Sequence, residues 1–196
     1  MICARFLAVL LVLLAVGCAS GPGGDRGRPA PEAMPKAAFA RALGLMDQGE
    51  LAAAEAAFRS LAQRYPHYSG PWTNLGILAA GRGDHSLAEG LLAAALKANP
   101  SNAVATAALA TLRYQRGEVT AALGLYQQAL ALRPAYAEAH LNLAVLYDKA
   151  LHQPASALRH YRRYQQLSGG EDLLVAAWIL DLENADSKTH YKVVRK

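Results

Sequence analysis

The chain has 196 residues and two cysteines, Cys3 and Cys18. From Ala19 onward there is none, which excludes a disulfide, a thiol nucleophile and a Cys-ligated zinc from that part. Charge of one sign is also scarce. The net charge is +5, and the stretch from Asp186 to Lys196 supplies +3 of it, four basic residues against Asp186. The remainder is near neutral, so a broad basic face for nucleic acid is excluded. No apolar run is long enough to span a bilayer, which takes about 20 residues. HExxH, GxSxG and a phosphate loop are all missing. The six histidines do not converge, and His152 to His160 is not a zinc-protease spacing. No enzyme, metal, cofactor or small-molecule substrate is expected.

What is present begins with a targeting pattern. Arg5 gives a short positive start, Phe6 to Val16 is an apolar run of eleven residues, and small residues follow. That order predicts a signal peptide over 1–17. Ala15-Val16-Gly17-Cys18 resembles the lipobox of bacterial lipoproteins, although Leu is usual where Ala15 stands. The resemblance implies acylation of Cys18, and Ala19 behind it points to the outer membrane, facing the periplasm. Ala15-Val16-Gly17 also reads as a small-x-small site for ordinary signal peptidase. Either enzyme cuts before Cys18, and without the lipid the product is soluble and periplasmic. Residues 18–34 are rich in Gly and Pro and read as a flexible tether, spanning on the order of 22 Å.

A repeat of 34 residues organises the rest. Pro66, Pro100 and Pro134 keep the period, as do Gly49, Gly83 and Gly117, and Ala54, Ala88 and Ala122. Phe58, Leu92 and Tyr126 form a further series, and Leu61, Ala95 and Ala129 another. Gly in each turn suits a helix C-cap, and Pro stops each second helix. Asp84 and Ser101 are expected N-caps, and Pro154 suits a first helical position. In the last unit Ala157 and Tyr161 arrive one residue late, so its turn at Leu151 to Gln153 is expected to carry one extra residue.

Period and residues together resemble the tetratricopeptide-repeat (TPR) family. Trp72, Leu75, Gly76, Ala88, Leu92, Ala95 and Pro100 show the pattern most clearly. The resemblance implies an all-α fold, a right-handed α-solenoid of four helix-turn-helix units (35–68, 69–102, 103–136, 137–168). Leu173, Leu174, Ala177, Trp178, Leu180 and Asp181 give 171–184 an amphipathic pattern, read as a capping helix. Trp178 is expected in its core contact. Residues 185–196 read as a basic, disordered tail. His140 takes the slot usually filled by Trp and is expected to pack between helices.

In the family, the first helices line a concave groove, chiefly through the second, fifth, ninth, twelfth and thirteenth positions of each unit. Here the expected groove residues are Phe39 and Leu43 in unit one, Thr73 and Ile77 in unit two, Val104, Ala107, Thr111 and Tyr114 in unit three, and Leu141 and Val145 in unit four. Asn74 and Asn142 join them from the sixth position; Lys36, Met46, Asp47, Gly70, Ala80, Gly81, Gln115, Glu138, Asp148 and Lys149 are the further carried-over positions. The basic residues of the carboxylate-clamp subfamily are missing there. An apolar groove suits a helix or extended peptide with hydrophobic anchors. The layout resembles the pilotin-like lipoproteins of pilus and secretion systems, and also the adaptors that recruit peptidoglycan enzymes or proteases. The implied role is a membrane-tethered scaffold for a protein or peptide partner.

Overall fold

The computed structural model describes residues 33–170 and 172–194, with side chains up to Asn184. The expected signal peptide, Cys18 and most of the tether lie outside the described residues. Met34, expected at the tether's end, packs on the first core cluster. The described residues are helical throughout, without a strand. Eight helices form four antiparallel pairs: α1 (Lys36–Asp47) with α2 (Leu51–Arg64), α3 (Ser69–Gly81) with α4 (His85–Ala98), α5 (Ala103–Gln115) with α6 (Val119–Leu132), and α7 (Ala137–Val145) with α8 (Pro154–Ser168). Each second helix also packs on the first helix of the next pair, and α8 packs on α9 (Leu173–Val194). Contacts between sequence neighbours dominate, the signature of an α-solenoid.

The turns within the first three pairs are chemically the same. Gly49, Gly83 and Gly117 have φ of 79°, 85° and 77°, a left-handed conformation open to glycine without cost. Around each, two backbone bonds close the helix end: Gly49 to Met46 O and Glu50 to Leu45 O in the first, with equivalents at Gly83-Asp84 and Gly117-Glu118. Asp84 therefore gives its N–H to the end of α3. Its carboxylate pairs with Arg82 at 3.3 Å and makes no cap bond to α4. Ser101 is not a cap either. Asn102 holds that place, its Oδ1 accepting from Val104 N–H at 3.1 Å and Ala105 N–H at 3.0 Å. Pro154 does open α8.

The fourth pair solves its extra residue differently from the expectation. The insertion lies in the helix, as a π-helical turn over Leu146–Ala150, in which Leu151 N–H reaches back to Leu146 O. The closing bond then runs from Gln153 to Tyr147, one residue further than Glu50 to Leu45. No glycine follows, and His152 takes the left-handed conformation with φ 52°.

The core is made of small residues against large ones. Ala88 and Ala95 are fully buried beside Leu92, and Ala122 and Ala129 beside Tyr126. A Cβ on Gly76 would come within 2.8 Å of Leu92 Cγ, so α3 and α4 touch where only glycine fits undisturbed. An ion pair repeats on the surface with the same period: Glu55 to Arg82 at 2.5 Å, and Glu89 to Arg116 at 2.7 Å. Glu89 also meets Arg113, and these contacts, Arg116 first, hold its carboxyl below the ordinary range.

The last helix differs from the sequence reading in length and in facing. It runs to Val194, because no Gly or Pro interrupts 173–194. The stretch expected to be disordered beyond Asn184 is therefore helical as far as Val194. Val175 and Ile179 are buried, and Trp178 and Leu182 pack beside them, with Trp178 against Tyr161 at 5.5 Å. Leu173, Leu174 and Leu180, expected on the covering face, point outward. No helix among the described residues is long and apolar enough to cross a membrane.

Candidate functional site

The first helices of pairs two, three and four line a shared hollow of about 290 Å³. Ile77, Ala80 and Gly81 come from α3; Val104, Ala107, Ala108, Thr111 and Gln115 from α5; Ala139 and Asn142 from α7; Tyr136 stands just before α7. Small side chains create the space: alanine at 80, 107, 108 and 139 leaves room that larger residues would fill. None of the lining residues carries a formal charge.

Its polar groups are few and held in place. Thr111 Oγ1 donates to Ala107 O at 3.1 Å or meets the Tyr126 hydroxyl at 2.9 Å. Burial pushes the Tyr126 phenol up to about 12, against the lowering influence of Thr111. Burial also raises Tyr136, whose ring lies 5.3 Å from the Arg133 guanidinium.

Of the expected groove residues, Ile77, Val104, Ala107, Thr111 and Asn142 meet in this hollow. Thr73 does not. It is buried, donates to Ser69 O at 2.9 Å and accepts from Asn102 Nδ2 at 2.9 Å. That bond ties pair two to the N-cap of pair three, so Thr73 is a joint between units. Asn74 donates to Gly70 O at 2.9 Å within its own helix and does not line the hollow. Phe39 packs edge-on to Phe58 at 5.7 Å and against Gly70. Leu43 is exposed on the first pair. Tyr114 packs on the core of pairs three and four, and Leu141 and Val145 on the core of pair four and α9.

Three lining residues escaped the sequence reading: Ala108, Ala139 and Tyr136. Ala108 occupies the same sixth position as Asn74 and Asn142, so a signal was available. Tyr136 is the N-cap residue of α7, 34 residues after Asn102 and 68 after Tyr68, which hold the same place before α5 and α3, so the period marked its position as well.

Two of the six histidines, His140 and His160, do meet, contrary to the sequence reading, because α7 packs on α8, and they form a structural pin. His140 Nε2 lies 3.0 Å from Pro134 O, and its Nδ1 lies 2.9 Å from His160 Nδ1. A carbonyl only accepts, so His140 donates from Nε2, and His160 must donate between the two Nδ1 atoms. Two units earlier Trp72 Nε1 donates to Pro66 O at 2.9 Å, the same bond from the same slot. His160 stacks on Tyr147 at 5.6 Å. Burial, then the His140 and Arg159 charges, push its pKa down to about 4. No group of three or more His, Cys, Asp or Glu among the described residues could hold a metal.

Comparisons with known proteins agree with this architecture. Residues 39–103 match the family described as tetratricopeptide repeat, and residues 110–150 that described as TPR repeat. No curated protein matches the chain by sequence. Among solved structures, that of Pseudomonas aeruginosa pilF is similar with a TM-score of 0.66 at 19% identity, over 78% of this chain and 68% of that one. A thermophilic TPR protein of Thermus thermophilus is similar at 0.62 and 23%, over 74% and 79%. The O-GlcNAc transferase of Thermobaculum terrenum is similar at 0.60 and 28%, over 67% of this chain but only 25% of that enzyme.

Proposed function

The chain carries tetratricopeptide repeats, and from that premise we propose that it is a non-catalytic scaffold whose concave face holds a segment of a partner protein during assembly of an envelope complex of pilus or secretion type. The observation that carries this reading is the hollow across α3, α5 and α7. Its floor is apolar and its lining uncharged, so it suits an apolar anchor of a helical or extended segment. It offers no cation for a carboxylate. The lipobox-like start and the Gly- and Pro-rich stretch behind it support a lipid anchor at Cys18, on the outer membrane and facing the periplasm.

The test is affinity capture from solubilised envelopes, with wild type and Ile77→Glu as baits and mass spectrometry of bait and prey. The expected prey is an outer-membrane channel protein, lost with Ile77→Glu while thermal unfolding is unchanged. Retention of the same prey by Ile77→Glu would remove the groove from the mechanism. Murein enzymes as main prey would move the protein to the adaptor class, and a bare Cys18 thiol on the bait would remove the tether.

A further inference from the structure

The last helix, α9, has two faces of opposite character. Val175 and Ile179 are buried in one cluster with Ala157 and Tyr161 of α8, and Trp178 and Leu182 pack beside them. Glu183 binds Arg162 of α8 at 2.7 Å, which ties that edge down as well. The other face is bare. Leu173, Leu174 and Leu180 are 83%, 60% and 58% exposed, and Ala177, Asp181 and Asn184 are exposed with them. Single leucines on a surface are ordinary, but several on one helix face mark a place where something docks.

The bare strip has a period. Leu173, Ala177, Leu180 and Asn184 are spaced by four, three and four residues, and the sequence continues the alternation with Ser187, Tyr191 and Val194 to the end of α9. That is the 3.5-residue repeat of a helix that pairs with another along its whole length. Charge says which helix. Residues 171–184 hold Glu171, Asp172, Asp181 and Glu183 and no base, whereas 185–196 hold Lys188, Lys192, Arg195 and Lys196 against Asp186. The helix dipole rewards that order only in the first and last turns, and Asp181 and Lys188 lie mid-helix. An anionic lipid surface fits poorly, because it repels the acidic half and Asn184 and Ser187 interrupt the apolar strip. The helix that fits is a second α9 running the other way, which sets each acidic half beside a basic one.

We infer that the outer face of α9 is a dimer interface, in which α9 packs antiparallel on α9 of a second copy about a two-fold axis through Asn184. Around that centre the strip is self-complementary, as a two-fold interface requires. Ala177 and Tyr191 stand seven residues to either side, so a small residue falls opposite a large one. Leu180 falls opposite Ser187 of the second copy, and Leu173 opposite Val194. Asp181 falls opposite Lys188 of the second copy, and symmetry makes that pair twice. Asn184 opposite its own copy is a polar position in the seam, which fixes register at a cost in stability. No residue of α9 lines the hollow across α3, α5 and α7, so the dimer carries two hollows and binds bivalently.

The test is disulfide trapping in intact cells that express the full chain with one added cysteine, oxidised with copper phenanthroline. The unsubstituted chain controls for Cys3 and Cys18. Asn184→Cys lies on the axis and is expected to give a disulfide-linked dimer, because its two copies come within bonding reach. Leu173→Cys is exposed too, but it lies eleven residues from the axis. At 1.5 Å per residue it stands about 33 Å from its own copy and should give none. Ala177→Cys co-expressed with Tyr191→Cys should give the mixed dimer. On the Asn184→Cys background, Asp181→Lys and Lys188→Asp should each lower the dimer yield about fivefold. The two together should restore it, a result that misfolding would not give. Cross-linking of Leu173→Cys as strong as that of Asn184→Cys would mean a parallel pair or chance collision and would overturn the interface. So would the absence of an Asn184→Cys dimer, or a mixed disulfide with another protein in its place.

Discussion

The contact between Gly76 and Leu92 makes a quantitative claim about how α3 meets α4. A Cβ at Gly76 would lie 2.8 Å from Leu92 Cγ and 3.4 Å from Ala88 O. Gly76→Ala should therefore combine two opposed effects. Replacing a mid-helix glycine gains about 1 kcal/mol in helix propensity. Forcing a methyl against a packed leucine costs about 1–3 kcal/mol. The net expectation is a loss of about 0–2 kcal/mol. Leu92 is fully buried, so Leu92→Ala alone should cost about 3–5 kcal/mol through lost transfer energy and the cavity left behind. In the double variant the new methyl enters that cavity. Gly76→Ala should then stabilise by about 1 kcal/mol or more, giving a coupling of about 1–3 kcal/mol. The assay is urea unfolding of all four proteins by far-UV circular dichroism, with midpoint and slope fitted separately. The slopes must be compared, because a repeat array can unfold in stages. If Gly76→Ala stabilises wild type as much as it stabilises Leu92→Ala, the close approach of α3 and α4 is not there.

His160 predicts a pH dependence. Its folded pKa of about 4 lies below the ordinary 6.5, so the unfolded chain binds the extra proton first. The stabilisation it reflects is complete above about pH 6.5 and is lost as pH falls through about 4; the thermal midpoint of His160→Gln should vary less over that window than wild type. His152 sits at φ 52° where the other three pairs have glycine. His152→Gly should therefore gain about 0.5–1 kcal/mol in urea unfolding, and a loss would mean that the imidazole has a role in the turn. Asn102→Ala removes both the N-cap of α5 and the donor to Thr73. It should cost about 1–2 kcal/mol, and a change within about 0.5 kcal/mol, the size of an ordinary surface effect, would refute the joint between pairs two and three.

Helix pairing was legible in the sequence because it is written locally. The 34-residue period of Pro, Gly and Ala places each turn, each helix end and each close contact within one unit, and those interactions involve residues close in the chain. Part of the hollow followed from the same logic: Ile77, Val104, Ala107, Thr111 and Asn142 repeat along the inner faces of first helices. Other features depended on neighbours distant in the chain. Thr73 has the spacing of a groove residue, yet Asn102, 29 residues on, draws it into a joint between units. The late arrival of Ala157 and Tyr161 announced one extra residue, and the backbone hydrogen bonds decided that it widens α7 instead of lengthening the turn. The repeat equates Val145 with Thr111, but only the packing of α8 on α7 shows that Tyr161 shares a cluster with this valine where Tyr126 bonds the threonine. Local periodicity thus determines which helices form and pair, whereas the inner surface they share is set by long-range packing, where one side chain's neighbours depend on another unit's residue.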